Sequence, residues 1–182
     1  MRTHYDQADV TRVVERLATQ IAKDFAPDKP LNIVGIRTRG ETLARRLAAL
    51  LAGRHGFAQI GRGVLDITLY RDDLSEVGPA PMVRPTELEV DINARPLLLV
   101  DDVIFTGRSI RSALDALTDF GRPSVIRLAV LADRGGRELP IQPDYVGLPI
   151  EDAPADHRVN VYLVEQDGRD EIVVEPRGQA PA

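Results

Sequence analysis

One short stretch restricts the possible folds more than any other part of the sequence. An apolar run at residues 97–100 is followed at once by two aspartates at 101–102 and then by Thr-Gly-Arg-Ser at 106–109. Apolar residues without polar alternation are typical of a strand buried on both faces of a parallel sheet. Thr and Gly before a new apolar pattern favour a turn into a helix. The stretch therefore predicts a strand with acids at its carboxyl end, a turn and a helix.

The next residues complete a strand-helix-strand unit. Apolar side chains recur at helical spacing from Ile110 to Leu117, and Gly-Arg-Pro at 121–123 predicts the end of that helix. A second apolar run at 125–132 predicts the following strand. Two strands joined by one helix in so few residues lie parallel and are connected by a right-handed crossover. The fold class expected is therefore α/β.

The same patterns organise the rest of the chain. We expect helices at 9–25 and from Gly40 to about Gly53, and strands at 31–36 and 64–70. Residues 71–93 are polar and interrupted by Gly and Pro, which predicts a long mobile loop or an extended hairpin.

Beyond Pro140 the apolar stretches are short and predict a small group of edge strands, at 145–150, 159–164 and 172–174. The Pro- and Gly-rich residues 176–182 predict a disordered tail. Residues 1–175 are expected to form a single domain, since one core typically serves up to about 250 residues.

Composition excludes several classes of protein. No apolar run approaches the ~20 residues needed to cross a bilayer, and no secretory signal follows Met1, so we expect a cytoplasmic protein without membrane contact. The absence of cysteine excludes disulfides, thiolate metal sites and cysteine nucleophiles. The net charge of -5 gives no overall attraction to nucleic acid. His4, His55 and His157 are too widely spaced to suggest a metal site.

The acids and hydroxyls after the strand at 97–100 predict a ligand site. Adjacent carboxylates at 101–102 repel each other unless hydroxyls, cations or backbone donors satisfy them. Residues 106–109 offer hydroxyls, a glycine and the N–H groups of a helix N-terminus, which together suit a phosphate. A simple helix cap at Thr106 is the plainer alternative, but it leaves the two acids unexplained. Neither a P-loop nor a dinucleotide-binding glycine motif is present.

The run at 97–109 resembles the phosphoribosyl diphosphate motif of type I phosphoribosyltransferases, with four apolar residues, two acids and Thr-Gly-x-Ser. Three further stretches, at 34–40, 66–74 and 133–141, are similar to the pyrimidine-operon regulator and uracil phosphoribosyltransferase group of that family. The resemblance spans residues 10–150, approximately.

This resemblance implies the type I phosphoribosyltransferase fold: a central, mostly parallel sheet flanked by helices, a small hood mainly from residues 134–175 and a flexible flap at 71–93. It also implies a homodimer or larger homo-oligomer. The implied reaction joins uracil to 5-phosphoribosyl-1-diphosphate with Mg²⁺ to give UMP and diphosphate.

The resemblance assigns roles to individual residues. Arg39, Arg71, Asp101 and Asp102 are implied in catalysis, and the two aspartates also in holding the ribose hydroxyls and Mg²⁺. Further substrate contacts are implied for Thr38 and Gly40 in the diphosphate loop, Tyr70 at the flap, and Val103, Ile104, Phe105, Thr106, Gly107, Arg108 and Ser109 around the 5-phosphate.

The base pocket is implied at Arg134, Val146 and Ile150. Many members of the group have Gly-Lys-Asn-Ile where this chain has Gly-Leu-Pro-Ile at 147–150, so the usual lysine is replaced by Leu148. The identity of the base therefore depends on the resemblance and not on pocket chemistry.

RNA binding is the second function that the resemblance implies, for a messenger RNA leader. The candidate contacts are Arg12, Arg16, Lys23 and Arg137. RNA-binding members often carry histidines on the first helix and before Arg-Glu-Leu-Pro, and this chain lacks both. Three interpretations therefore stay open: a uracil phosphoribosyltransferase, a UMP- or UTP-sensing RNA attenuator with little catalysis, and, less favoured by 66–74 and 133–141, a purine or orotate enzyme.

Overall fold

The computed structural model describes residues 3–70, 86–88, 90–150 and 153–177. Its helices and strands follow one another as β1 (His4–Tyr5), α1 (Gln7–Asp24), β2 (Leu31–Ile36), α2 (Arg39–His55), β3 (Ile60–Leu65), a 3-10 helix (Thr68–Tyr70), β4 (Glu87–Leu88), β5 (Pro96–Ile104), α3 (Arg108–Leu117), β6 (Val125–Asp133), β7 (Tyr145–Pro149), β8 (His157–Tyr162), α4 (Val164–Asp167) and β9 (Glu171–Pro176).

The larger sheet contains β4, β3, β2, β5, β6 and β7 in that order across the sheet. Strands β2, β3, β5, β6 and β7 pair in parallel, and the short β4 pairs antiparallel to β3 at one edge. The predicted α/β class with a mostly parallel sheet is confirmed. The carboxyl ends of the parallel strands share one edge of the sheet, where α/β proteins collect their ligands.

Strand β5 shows how the sheet is buried on both faces. Leu98 and Val100 lie in the hydrophobic cluster formed with α1 and α2, whereas Leu97 and Leu99 lie in the cluster formed with α3. Successive side chains of a strand point to opposite faces, so an uninterrupted apolar run has partners on both sides. The two acids, Asp101 and Asp102, therefore follow the buried apolar residues directly, toward the carboxyl end of β5.

A second sheet has the order β1-β9-β8 and is antiparallel. Two of its strands, β8 and β9, come from the region predicted as a hood, and the third, β1, comes from near the start of the chain. Strand β7 of the predicted hood belongs to the larger sheet instead. Pro176, the first residue of the predicted tail, still belongs to β9. The Arg177 N–H donates to the Asp156 carbonyl at 2.7 Å, so the residue after β9 is also hydrogen-bonded to the rest of the chain.

Two elements illustrate how the observed boundaries differ from the sequence-based expectation. Helix α2 continues past Gly53 and ends at Gly56, which has a left-handed φ of 73°. Strand β3 begins earlier than predicted. It stops at Leu65 because the chain turns at the next residue. The Asp66 carboxylate accepts a hydrogen bond from the Thr68 N–H at 2.8 Å, which turns residues that were predicted as strand into a 3-10 helix.

The predicted flap lies largely outside the described residues, and so does Arg71. The part that is described, 86–88 and 90–93, packs against the larger sheet: β4 pairs with β3, Asn32 donates to the Asp91 carbonyl at 3.1 Å, and Ile92 is buried. Among the described helices, none has the length and apolar character that a bilayer span requires.

Candidate active site

A cleft of about 450 Å³ opens at the carboxyl ends of β2, β3 and β5. It is lined by Ile36, Arg37, Thr38, Arg39, Asp66, Ile67, Thr68, Asp101, Asp102, Val103 and Ser109. The structure therefore brings together residues from the predicted diphosphate loop, the acid pair and the start of the helix after it. The lining combines positive, negative and hydroxyl groups, as a phosphorylated sugar requires.

Asp101 and Asp102 form the floor of the cleft. Asp101 is 7% exposed, and its Oδ1 accepts from the Asp102 N–H at 2.9 Å; the Asp102 Oδ1 accepts from the Val103 N–H at 2.9 Å. Burial raises the pKa of Asp101 well above its ordinary value, and the charge of Asp102 adds to the rise. Such a pair gains most from a ligand that brings hydroxyl donors or a cation.

Burial also raises the pKa of Asp102. The Val103 N–H and the positive charge of Arg39 act in the opposite direction. Arg39 is therefore near enough to stabilise the ionised form of Asp102, and the floor and wall of the cleft are electrostatically coupled.

The wall beside the acids is the N-terminus of α2, which two glycines allow to approach the sheet. A Cβ on Gly35 would lie 2.4 Å from the Gly40 carbonyl oxygen, and a Cβ on Gly40 would lie 2.5 Å from the Val100 carbonyl oxygen. Both distances are below any non-bonded contact, so the helix sits this deep because these positions lack side chains. The first N–H groups of a helix have no partner within it and suit an anion.

Thr38 is the N-cap of α2, and its side chain makes no capping hydrogen bond. The peptide bond between Arg37 and Thr38 is cis. Arg39, the first helical residue, donates through Nη2 to the Asp167 Oδ1 at 2.9 Å and through Nε to Oδ2 at 3.4 Å. The predicted diphosphate loop is thus tied to a segment distant in the sequence.

The second predicted phosphate loop lies at the start of α3. Gly107 has a φ of 91°, a backbone conformation that favours glycine, and the Thr106 carbonyl accepts from the N–H groups of Glu138 and Leu139 at 3.0 and 3.1 Å. Arg108 pairs with Glu138 at 2.8 Å. Of these loop residues, Ser109 is the one that lines the cleft. The segment after β6 therefore holds the loop in shape.

Several predicted contacts lie away from this cleft. Ile104 and Ile150 are buried in the two hydrophobic clusters, and Val146 packs against the cluster formed with α3. The Tyr70 hydroxyl donates to Asp119 at 2.5 Å, so it points to the end of α3. Phe105 lies under the guanidinium of Arg134, 3.9 Å from ring centroid to Cζ.

Arg134 is 9% exposed and is used mainly by the protein itself. Its Nη2 donates to the carbonyls of Pro154, Ala155 and His157 at 3.1, 3.3 and 2.6 Å. Its Nε is buried and has no hydrogen-bond partner among the described residues.

Sequence reasoning missed four polar or charged residues of the site: Arg37, Asp66, Thr68 and Asp167. The first three line the cleft, and each falls within a stretch already singled out by the resemblance at 34–40 or 66–74. Asp167 acts on the cleft through Arg39, and nothing in its local sequence signals that contact.

The residues predicted for RNA do not form one patch. Arg12 and Arg16 lie with Arg54 and His55 along a groove of about 490 Å³ between α1 and α2. Arg12 pairs with Asp9, and Arg16 donates through Nη2 to the Gly147 carbonyl.

Lys23 is exposed in the last turn of α1 and does not line that groove. Arg137 is 11% exposed, and its guanidinium donates to Asp133 Oδ2 at 2.7 Å, to the Phe105 carbonyl at 2.9 Å and to the Ile141 carbonyl at 3.0 Å. Its donors are therefore largely used in shaping the loop after β6.

A search of the described residues finds no group of three or more His, Cys, Asp or Glu side chains placed to hold a metal ion. The acid pair at the cleft floor nevertheless fits Mg²⁺, which proteins usually bind with one or two carboxylates together with phosphate oxygens and water. A metal at this site would take its remaining ligands from the substrate.

The fold and this cleft define a class of protein, and comparison with known proteins identifies the same class. The phosphoribosyl transferase domain family matches residues 4–166, so the chain belongs to the phosphoribosyltransferases and is a pentosyltransferase. A protein named Bifunctional protein PyrR from Desulfosudis oleivorans is 51% identical over 170 residues, which cover 93% of each chain. One of the same name from Mycolicibacterium paratuberculosis is 47% identical over 171 residues, covering 92% and 89%. Within the family, the chain belongs to the PyrR group.

Solved structures agree at the level of the fold. A hypoxanthine phosphoribosyl transferase from Trypanosoma cruzi superposes with a TM-score of 0.71 at 19% identity, covering 95% of this chain and 90% of that one. A hypoxanthine-guanine phosphoribosyltransferase from Bacillus anthracis gives 0.67 at 16% identity, covering 96% and 99%. The type I phosphoribosyltransferase fold predicted from the sequence is confirmed.

Proposed function

We propose that this protein converts uracil and 5-phosphoribosyl-1-diphosphate to UMP and diphosphate. One observation carries the proposal: a single cleft is lined by Arg39, by the Asp101-Asp102 pair and by Ser109, in a chain of the PyrR group. A cation at one wall, two acids on the floor and the start of α3 at the other wall match the diphosphate, ribose and 5-phosphate of the substrate in turn. The stretches at 66–74 and 133–141 support uracil as the base.

In this reaction the bond between ribose C1 and the diphosphate oxygen breaks, and its electron pair leaves with the diphosphate. Uracil N1 forms the new bond to C1 and loses its proton. Positive charge develops on the ribose and negative charge on the leaving oxygens, so charge stabilisation and positioning are the main contributions of the protein. No covalent nucleophile is needed.

Each wall of the cleft has a role in this proposal. Asp101 and Asp102 accept hydrogen bonds from the ribose hydroxyls and counter the positive charge that develops nearby. Arg39, the Thr38 and Gly40 backbone and Arg37 neutralise the leaving diphosphate, and Arg71 is proposed to join them. Ser109 and the N-terminus of α3 hold the 5-phosphate.

Mg²⁺ is the proposed cofactor, with Asp101 and Asp102 as its protein ligands. When bound, it supplies positive charge to the diphosphate oxygens. At the base end, Arg134 Nε, Val146 and Ile150 remain the proposed uracil contacts, and the orphaned Nε of Arg134 supports its share.

The test is diphosphate release from 5-phosphoribosyl-1-diphosphate and Mg²⁺ with uracil, orotate, hypoxanthine or no added base. We expect release that depends on uracil. If hypoxanthine or orotate supports faster release than uracil, the proposed base is wrong. If no base supports release while UMP binds tightly, the nucleotide-sensing alternative replaces the enzyme.

RNA binding is a second candidate function, and the groove between α1 and α2 favours it. Three arginines, Arg12, Arg16 and Arg54, line it against one glutamate, Glu15, which pairs with Arg54 at 2.7 Å. Such a local excess of positive charge is what phosphate contacts require in a chain of net charge -5. Filter binding of a leader stem-loop RNA at rising salt tests it. Replacing Arg12 with Gln should weaken binding and flatten the salt dependence; no binding at low salt contradicts it.

A cytoplasmic location and a homodimer or larger homo-oligomer complete the proposal. The assembly follows from the resemblance to the group, and the location is the expectation drawn from the sequence. Sedimentation of the purified protein measures the assembly directly.

A further inference from the structure

The residue that bonds Arg39 belongs to a short segment that packs along one face of α2. Residues 165–170, called the clasp from here on, run from α4 toward β9 and contact one side of α2. The helix residues involved are Arg39, Thr42 and Arg46. Their spacing of three and then four residues places them on a single helix face. The clasp therefore follows α2 from its first residue through two turns.

The contacts along this face differ in where they lead. Arg46 bonds Glu165 and Asp170 at 2.5 to 2.9 Å, two turns away from the cleft. Gln166 donates to the Thr42 hydroxyl at 2.5 Å. Asp167 bonds Arg39, which lines the cleft itself. Both ends of the clasp thus bond Arg46, and its middle reaches a group in the site.

The Asp167 carboxylate is itself fixed before it meets Arg39. Its Oδ2 accepts from the Leu163 N–H at 2.8 Å, and Leu163 is fully buried. The Asp167 side chain is 19% exposed and that of Arg39 is 35% exposed. A planar guanidinium held through both Nε and Nη2 keeps a defined orientation, which a single contact to a mobile side chain would not give.

We infer that Asp167 is a positioning residue for the diphosphate step: it orients the Arg39 guanidinium at the wall of the cleft so that the remaining donors face the leaving group. The inference depends on the proposed function, because it assigns Arg39 to the diphosphate. Asp167 does not touch the substrate. It restricts the Arg39 side chain before the substrate binds, so less conformational entropy is lost when the substrate does bind.

The test compares Asp167→Asn with the wild-type protein and with Asp170→Asn. The second variant weakens the same clasp at Arg46 without a contact to the cleft, so it measures the effect of loosening the fold alone. We expect Asp167→Asn to raise the KM for 5-phosphoribosyl-1-diphosphate about tenfold, a loss typical of one oriented charge-assisted contact. The KM for uracil should stay unchanged. Inorganic diphosphate should become a weaker product inhibitor by a similar factor.

Two further variants separate orientation from charge. Asp167→Glu keeps the carboxylate and should restore part of the lost affinity. In an Arg39→Lys background, Asp167→Asn should have little additional effect, because the ammonium group of lysine cannot be held as a planar fork.

The possible failures are distinguishable. If the wild-type protein neither binds 5-phosphoribosyl-1-diphosphate nor releases diphosphate, the proposed function is wrong and the inference is lost with it. If the wild type is active and Asp167→Asn has a KM within about twofold of it, or Asp170→Asn raises that KM equally, the positioning role alone is wrong. Thermal unfolding of each variant identifies any that fails to fold, and Asp167→Glu then decides the question.

Discussion

The guanidinium of Arg134 lies 3.9 Å from the centre of the Phe105 ring, so a residue after β6 covers the loop after β5. The same guanidinium donates to the carbonyls of Pro154, Ala155 and His157, the last of which is the first residue of β8. One side chain therefore joins the loop after β5, which leads into α3, to the start of β8 in the smaller sheet. Burial lowers the pKa of Arg134, and the positive charge of Arg177 lowers it further.

Replacing Arg134 with Met should destabilise the protein by about 1–3 kcal/mol, because the buried guanidinium that donates to three backbone carbonyls and covers the Phe105 ring is lost. Urea unfolding measures the change. The matched control is Arg127→Met: the exposed Arg127 pairs with Asp144 at 2.7 Å in a solvent-screened ion pair, so its loss should cost much less. Equal effects of the two substitutions would show that Arg134 has no special structural role.

Gly40→Ala should impair both folding and activity, since its Cβ would lie 2.5 Å from the Val100 carbonyl oxygen and would displace the start of α2. We expect a loss of about 1–3 kcal/mol in unfolding free energy and a marked fall in turnover. Gly53→Ala in the same helix is the control. A Cβ there meets nothing within 4 Å, so alanine should stabilise the helix by about 0.5–1 kcal/mol. Unfolding curves that rank the two variants the other way would contradict the packing described for α2.

Asp101→Asn and Asp102→Asn should each abolish turnover while leaving the fold intact. Burial raises the pKa of both carboxyls, which means that their ionised forms cost stability in the free protein. An uncharged amide of nearly the same shape should therefore leave the unfolding free energy unchanged or higher. Asp28→Asn, at an exposed carboxylate, is the control for both measurements. Retained turnover in either cleft variant would remove that residue from the site.

The clasp should make stability depend on pH at the acidic end. Hydrogen bonds from Arg46 lower the pKa of Glu165; for Asp170, burial acts to raise the pKa, but bonds from Arg46 and the Val164 N–H outweigh it. Both groups bind protons less readily in the folded chain than in the unfolded one. Their contribution is therefore present above the ordinary carboxyl pKa of about 4 and is lost as the pH falls through the lowered values.

Unfolding of the wild type and of Arg46→Met between about pH 6 and pH 3 measures this dependence. The stability advantage of the wild type should shrink as the pH falls. A constant difference across the range would mean that Arg46 contributes by packing and not by its ion pairs.

The elements that sequence reasoning predicted best are those with a strong local cause. The apolar run at 31–36 became β2 at the same residues, and the acids after residue 100 lie at a cleft as expected. Gly53 was a wrong helix end because its backbone stays helical, whereas Gly56 takes the left-handed conformation that follows the last helical residue of α2. The strand expected at 64–70 ended at Leu65 because the buried Asp66 carboxylate turns the chain.

The parts of the site that could not be predicted depend on contacts between distant segments. The resemblance implied Arg134 and Arg137 as ligand contacts, yet both guanidinium groups donate to backbone carbonyls of the protein itself. Asp167 has no motif around it. Its role appears only when β8 and β9 bring α4 against α2.

The bond between Arg39 and Asp167 joins residues 128 positions apart. During synthesis, α2 leaves the ribosome long before the clasp exists, so the early chain can form the sheet around β2 and β5 while Arg39 is still unrestrained. Contacts between distant positions in the chain form late, because the entropy of closing the loop must first be overcome. The wall of the cleft at Arg39 is therefore expected to acquire its final shape among the last steps of folding, once nearly the whole polypeptide has been made.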